Sequence, residues 1–548
     1  MDKDDDEAVG LFRPNHFLAT PSREFEGRER EMNFLQVPDR NMRGSSVSSN
    51  LSDMDAPIYC SDTLTTKVPE YTRLSSLKGF NAKLVFAITA AALGSSFQHG
   101  YNTGVLNNPQ KIIEEWISTT IANRTGEMPP QSQITIIWSI AVSIFCIGGM
   151  IGGVLTGFVA DTFGRKGGLL VNNVLVIITS ILEGAARSAA SYEMIILGRF
   201  IIGINSGLNA GLAPMYLAEI SPVNLRGAVG TVYQLVITIS ILVAQILGLK
   251  DVLGTETQWP TLLALTVVPA IFQLVTLPFC PESPKHILIG KGKEIEAQNA
   301  LLWLRDGGSV QEEMDEMRSE YEAMKLVPKI TMKELISNSA LRIPLIICLM
   351  LMIAQQLSGI NAVMFFSTKI FMMAGLTEDS ASYATMGMGS INVLMTIVSL
   401  VLVEKAGRKT LLLVGFAGMT VVTLCLTFAM LYATTAKWIS YLCIILVLLF
   451  VILFATGPGS IPWFMVSELF NQSARPAATS LAVAINWTAN FFVGLGFLPL
   501  QEALGPWVFI IFTVILALNV VFIYKKVPET KNKTIEEISA MFRQQSYE

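Results

Sequence analysis

The chain has 548 residues, of which 51% are hydrophobic and 15% charged, and its mean hydropathy is +0.51. Soluble domains carry about a quarter charged residues, so the composition excludes a soluble globular enzyme. A formal net charge of −4 leaves no basic footprint for nucleic acid.

The N-terminus, MDKDDDEAVG, is acidic and does not read as a signal peptide; residues 1–82 are polar and serine-rich (RGSSVSSNLSD) and read as a disordered cytosolic tail. Apolar windows follow near 84–106, 134–159, 168–187, 193–217, 228–249 and 259–280. Each is long enough to cross a bilayer, which takes about 20 apolar residues. A charged stretch with helical texture, 282–340 (EIEAQNALLWL, EEMDEMRSEYEAM), precedes six more windows near 342–371, 380–403, 410–432, 439–466, 476–499 and 506–526. The expectation is an all-α membrane protein of 12 transmembrane helices in two pseudo-symmetric six-helix bundles, 83–281 and 341–527. A cytosolic helical insert (282–340) separates them and a tail (528–548) closes the chain. Most of the six cysteines, Cys60, Cys146, Cys280, Cys348, Cys425 and Cys443, lie in apolar runs without paired spacing and read as small hydrophobes.

Basic residues in short loops set the orientation. FGRKGG, NLRG, EKAGRK and SARP fall on one side with the insert, which places both termini in the cytosol. The first outer loop then carries the triplet Asn123-Arg124-Thr125, a glycosylation acceptor on the external face.

The two halves repeat each other. Asp161-Thr-Phe-Gly-Arg165-Lys166 returns as Glu404-Lys-Ala-Gly-Arg408-Lys409, Glu219 and Arg226 return as Glu468 and Arg475, and Pro281-Glu282-Ser-Pro returns as Pro528-Glu529-Thr-Lys, at offsets of 243 to 249. Paired homologous halves with a site between them are a common build of secondary transporters. Positive-inside bias explains the basic residues but not their matched acidic partners. Those predict an ion-pair latch of Glu219, Glu282, Glu404 and Glu468 with Arg165, Arg226, Arg408 and Arg475, joining the halves when the cytosolic side is closed.

The seventh window contains AQQLSGINAV. Gln356 and Asn361 are five residues apart, roughly 140° round a straight helix, so they meet only if the helix breaks, and Gly359 is the place for the break. The tenth window has a matching interruption, Gly457-Pro-Gly-Ser-Ile-Pro462, followed by Trp463. Broken spans in corresponding positions point to a substrate site. Further amides occur at Gln234, Asn392, Asn486 and Asn490. An amide offers donors and acceptors, as each sugar hydroxyl does, so amides beside an indole suit a neutral polyol. No acidic, basic or histidine side chain falls clearly at the middle of a window, and His99 reads as packing in the outer half of the first span.

The words LGSSFQHGYNTGV, GRFIIG, PMYLAEISP, LRGAVGT, PESP, QQLSGINAV, VEKAGRK, GPGSIPWF, ELFNQSARPAA, NWTANF and PETK, spread from about Phe80 to Phe542, resemble the facilitative hexose transporters, a branch of the sugar porters in the major facilitator superfamily. The resemblance implies that Gln234, Gln355, Gln356, Asn361, Asn392, Trp463 and Asn486 line a hexose site, and that Phe365 and Phe366 occupy the positions of outer-gate tyrosines. Proton-coupled relatives carry an aspartate where this chain has Asn102, and an amide does not exchange a proton near neutral pH. The expectation is therefore a uniporter of the plasma membrane, not an enzyme, with no cofactor or metal and with a hexose and the lipid bilayer as its partners. Met352-Ile353-Ala354 replaces the triplet of exclusive glucose carriers, which implies fructose as a second substrate, while Trp463 is absent from the dedicated fructose carrier. Ala455 stands for a glutamate and Lys285 for an arginine of the family's cytosolic network. A proton–sugar symporter, an inositol or urate carrier and a non-transporting sugar sensor are the alternatives.

Overall fold

A computed structural model describes residues 79–222, 224–471, 473–531, 533 and 535–547. The expected N-terminal tail lies outside them except for its last four residues. The first span is built from Ala82–Ala91 and Phe97–Gly104, joined by a π turn at Ala92–Ser96. Gln131–Phe163, Arg165–Ala185, Glu193–Ile220 and Arg226–Leu247 form the second to fifth spans, and Trp259–Ala264 with Val267–Thr276 the sixth. The second half repeats the plan. Its seventh span is Ser339–Leu357 plus Ile360–Met373, the eighth Glu378–Lys405 and the ninth Arg408–Leu431. The tenth is Lys437–Thr456 plus Ile461–Leu469, the eleventh Arg475–Leu504 and the twelfth Val508–Lys526.

Spans such as these leave large apolar side chains on the outside of the protein, among them Val154, Phe158, Ile181, Val421, Ile445 and Leu518. In water that surface would be unstable; in hydrocarbon it is the ordinary lipid-facing side, and the helices satisfy their own backbone groups. Inside each half, small residues let backbones touch. The second and fourth spans meet at Gly148, Gly152, Gly203 and Gly207, where a Cβ on Gly203 would come within 3.1 Å of Gly148 Cα.

Three pieces lie outside the spans among the described residues, the last being the C-terminal helix Ile535–Tyr547. The insert contains the helices Glu294–Leu304, Gln311–Leu326 and Met332–Ser337. It has a small core of its own, in which Ile287, Leu288, Ala297, Leu301, Met314 and Met317 are buried together. The first outer loop is not a plain loop. Gln110–Thr125 is a helix whose Ile113, Ile117 and Ile121 are buried at four-residue spacing, and Trp116 packs on Trp259 with ring centroids 5.0 Å apart.

Candidate functional site

The seventh span breaks at Ser358-Gly359. Gly359 has φ +94°, in the left-handed region that glycine reaches at no steric cost, and a side chain there would press on the Phe512 ring. The break turns Asn361 back toward Gln356. Asn361 Nδ2 donates to Gln356 Oε1, Gln356 Nε2 donates to Asn486 Oδ1 at 3.0 Å, and Asn486 Nδ2 donates to Gln355 Oε1 at 2.9 Å. Gln355 Nε2 completes the chain on the carbonyls of Pro458 and Gly459, at 3.0 and 2.8 Å. Those carbonyls are free because the tenth span is interrupted between Thr456 and Ile461. Each break therefore supplies part of one amide cluster, which ties the seventh, tenth and eleventh spans together.

Asn392 is buried on the eighth span, Trp463 stands in the first turn after the tenth-span break and is 41% exposed, and Gln234 is exposed on the fifth. These three do not join the hydrogen-bonded cluster. Gln234 does share a helix face with Thr238, Ile241 and Gln245, and a Cβ on Gly389 of the eighth span would meet Gln245. Its face is thus the one turned toward the other half. Phe365 and Phe366 are buried just past Asn361; Phe366 has non-helical φ −128° and ψ 21° and stacks on Phe497 at 5.6 Å.

On the face opposite the insert, the two halves are bonded together. Asn107 Nδ2 donates to Met364 O at 2.9 Å and to Ser367 Oγ at 2.6 Å, while its Oδ1 accepts from Thr368 N at 3.0 Å. Asn108 Oδ1 accepts from Thr368 Oγ1 at 2.7 Å. Glu378 of the second half receives Lys111 at 3.2 Å and Lys250 at 3.3 Å from the first. Thr135 and Glu502 also bond across.

The charged motifs lie at the insert side and form two clusters of the same design. In one, Arg165 Nε bonds Glu219 at 3.0 Å, the backbone N–H groups of Arg165 and Lys166 donate to Glu282 at 3.0 and 2.9 Å, and Ser283 Oγ bonds Glu219. In the other, Arg408 bonds Glu468 at 3.1 Å, Arg408 N and Lys409 N donate to Glu529 at 2.9 and 3.1 Å, and Thr530 bonds Glu468. Arg226 and Arg475 each bond a carbonyl eight residues back, Ala218 at 3.1 Å and Ser467 at 2.9 Å. Glu282 and Glu529 act as borrowed caps, setting a carboxylate at the N-terminus of the third and ninth spans, where it meets free N–H groups and the positive end of the helix dipole. In this conformation these side chains bond within their own half. The side chain of Glu404 falls outside the described residues. Glu529, Ser283 and Thr530 belong to the clusters although they were not singled out, and the Pro-Glu repeat was the signal for Glu529.

His286 joins the first cluster at 2.9 Å from Arg165, and burial, then the neighbouring guanidinium, holds its pKa below the ordinary 6.5. Two further charges, toward the ends of their windows and not singled out from the sequence, are buried inside the first half. Glu183 of the third span is fully buried against Gly198, and Arg199 of the fourth is 1% exposed, donates to Asn102 O at 2.9 Å and lies over the Phe145 ring at 4.6 Å. His99 is half-buried and sits 6.3 Å from the ring of Trp487 on the eleventh span. Asn123 is exposed in the last turn of Gln110–Thr125, and neighbouring Arg124 pairs with Glu193 at 2.6 Å. Cys146, Cys280, Cys348 and Cys443 are free and buried, Cys425 is free and exposed, and Cys60 lies outside the described residues.

Twelve spans in two related halves, two of them broken around a cluster of amides, define a helical membrane transporter. The comparisons give the family. The profile of the family named sugar (and other) transporter matches residues 87–542, and the chain belongs to it. It is 46% identical over 463 residues to solute carrier family 2, facilitated glucose transporter member 1, of Gallus gallus, covering 84% of this chain and 94% of that one. It is 47% identical over 464 residues to member 4 of Mus musculus, covering 84% and 91%. Among solved structures it resembles the xylose transporter XylE from E. coli in a partially occluded inward-open conformation, with TM-score 0.69 and 25% identity over 83% of this chain and 100% of that one. The fully inward-open form of XylE aligns with the same TM-score at 26% identity, over 84% and 99%.

Proposed function

We propose that the protein is a facilitative uniporter of hexose, with D-glucose its main substrate and fructose a second, working by alternating access across the plasma membrane. The observation that carries this is the chain Asn361–Gln356–Asn486–Gln355, held at two helix breaks. Its members bond one another, and the same donors and acceptors suit the hydroxyls of a hexose, with Gln234, Asn392 and Trp463 completing the site. The relatives' description as facilitated glucose transporters supports the substrate.

The bonded seam at Asn107, Asn108 and Glu378 supports reading this conformation as closed to the outside and facing the cytosol, with the insert and both termini in the cytosol and Asn123 glycosylated outside. Phe365 and Phe366 then form part of the outer gate by bulk. In the opposite state the insert-side clusters come together as the latch. Glu404→Ala and Arg475→Ala test it by the balance of outward-open and inward-open protein; an unchanged balance rejects the latch.

One observation favours a second reading: Glu183 and Arg199 are ionisable side chains buried within the spans, and such groups mark proton relays in carriers. A single experiment separates the two. Purified protein in liposomes is given labelled D-glucose or D-fructose, with and without a pH gradient. Uptake that runs down the sugar gradient alone, with no sugar-driven alkalinisation, supports uniport. Uptake that requires the pH gradient overturns it in favour of symport, and binding without uptake makes the protein a sensor.

A further inference from the structure

Gln234, Thr238, Ile241 and Gln245 follow at intervals of four, three and four residues, so they share one face of the fifth span. Thr385, Gly389, Asn392 and Thr396 do the same on the eighth. The two faces meet across the boundary between the halves: a Cβ on Gly389 would collide with Gln245 Oε1 and stand 3.3 Å from Leu242 Cδ1. The boundary therefore carries a stripe of amides and hydroxyls from each side.

The outer end of this stripe runs into the bonded seam. Asn108 Nδ2 donates to the main-chain carbonyl of Gln245 at 2.6 Å, and the hydroxyls of Thr368 and Thr385 are 2.9 Å apart. The carboxamide of Gln245 is different from its neighbours. It is fully buried, and neither Nε2 nor Oε1 has a hydrogen-bond partner. Several amides in the core of the first half are matched to one another: Gln98 donates to Asn173 at 2.8 Å, Asn173 to Gln273 at 2.9 Å, and Asn209 to Gln98 at 3.1 Å, and Asn102 and Asn172 each lack a partner only at Oδ1. A buried amide left without a partner is unfavourable, so Gln245 is costly as packing alone and is suited to a ligand that brings its own donors and acceptors.

We propose that Gln245 is a sugar-contacting residue of an outer subsite, reached by hexose that arrives from the face opposite the insert before it settles on the central amides. Gly389 leaves the room in which the carboxamide turns. When the seam parts, Nε2 donates to a sugar oxygen and Oε1 accepts from a sugar hydroxyl. The subsite is separate from the central one. Gln245 lies eleven residues beyond Gln234, about 16 Å along the helix at 1.5 Å per residue, farther than one hexose reaches. The inference rests on the hexose-transport reading above.

The test is competition from outside by the series of mono-deoxy D-glucoses against labelled glucose uptake, in cells expressing the full chain. A hydroxyl contact has a signature that altered packing does not. In the unaltered protein one deoxy sugar competes at least threefold more weakly than glucose through loss of its bond to Gln245, and in Gln245→Leu that difference disappears while the other deoxy sugars keep their ratios. Gly389→Ala, which crowds the carboxamide, shifts the same ratio in the same direction. Gln245→Asn, which keeps the amide on a shorter stem, replaces the leucine variant if that one fails to reach the surface. If every deoxy-to-glucose ratio is the same in the variants as in the unaltered protein, Gln245 does not touch sugar. Failure of the unaltered protein to take up glucose at all would instead sink the transport reading, a result visible before any variant is made.

Discussion

Gln356 and Asn486 are bonded side chain to side chain, Gln356 Nε2 to Asn486 Oδ1 at 3.0 Å, across the seventh and eleventh spans. Gln356 is the link in the middle of the cluster, since its Oε1 also accepts from Asn361. Replacing it with leucine keeps the volume and removes both functions, which leaves Asn486 Oδ1 and Asn361 Nδ2 without their partners. Loss of one buried hydrogen-bonding group costs about 1–3 kcal/mol, equivalent to roughly fivefold to 150-fold in a rate or affinity, and here two groups lose their partner. Gln356→Leu is expected to lower Vmax/KM for glucose uptake at least tenfold with unchanged surface protein, measured by labelled uptake and surface biotinylation. Asn361→Ala removes one end of the chain and is expected to cost less.

Gly359 allows that geometry. At φ +94° an L side chain is strained, and its Cβ would stand 3.0 Å from Phe512 Cγ. The left-handed conformation costs a non-glycine residue about 1–2 kcal/mol. Gly359→Ala is expected to lower the melting temperature of the purified protein by a few degrees and to slow glucose uptake more than Gly496→Ala, where a Cβ meets nothing within 4 Å. Equal melting temperatures for the two variants would mean that the seventh-span break does not depend on glycine.

The break was legible because two signals coincided: amides five residues apart with a glycine between them, and an interruption at the matching place in the other triplet. The helix Gln110–Thr125 was not legible as such, because its buried apolar stripe, Ile113, Ile117 and Ile121 beside Trp116, is short and set among polar residues. Glu183 and Arg199 were missed for a related reason. Each lies within about two turns of a span end, Ala185 and Glu193, where a charge reads as belonging to the interface. Amides posed a different difficulty. Gln98, Asn173, Asn205, Asn209 and Gln273 are as polar as Gln355 and Gln356, yet they bond within the first half. Residue type does not say whether an amide's partner is a neighbouring helix or a substrate; the direction in which it faces does. The charged repeats were legible as partners, but their pairing within each half depends on which helix ends meet in one conformation.

The insert-side cluster of the first half carries a pH dependence. His286 is buried beside Arg165, and both effects favour its neutral form, so its folded pKa is below the unfolded value of 6.5. The unfolded chain therefore binds the extra proton first as pH falls. The stabilisation is complete above 6.5 and is lost as pH drops from 6.5 toward the lowered value. Thermal melts between pH 7.5 and pH 5 are expected to fall more steeply for the unaltered protein than for His286→Gln, which cannot titrate. Parallel curves would remove His286 as the source.

Asn107 is the joint of the outer seam. It makes three hydrogen bonds to the other half, to Met364 O, Ser367 Oγ and Thr368 N. Glu378, by contrast, holds the half-exposed Lys111 and Lys250 in ion pairs at the surface; surface pairs contribute about 0.2–1 kcal/mol each and weaken with salt. Parting the halves exposes the Asn107 bonds to water, so their net contribution to closure is smaller than their number suggests, about 0.5–1.5 kcal/mol per bond. Asn107→Ala is then expected to shift the equilibrium toward the state open on this face by roughly tenfold or more, and Glu378→Gln by less, up to about fivefold for each of the two pairs lost. The measurement is the labelling rate of a cysteine placed at Thr385, in a background without other cysteines, by a membrane-impermeant maleimide added outside. Faster labelling in Asn107→Ala than in Glu378→Gln, with the Glu378→Gln effect vanishing at high salt, is the expected order. The reverse order would place the hold of this seam in its ion pairs instead of its buried amide.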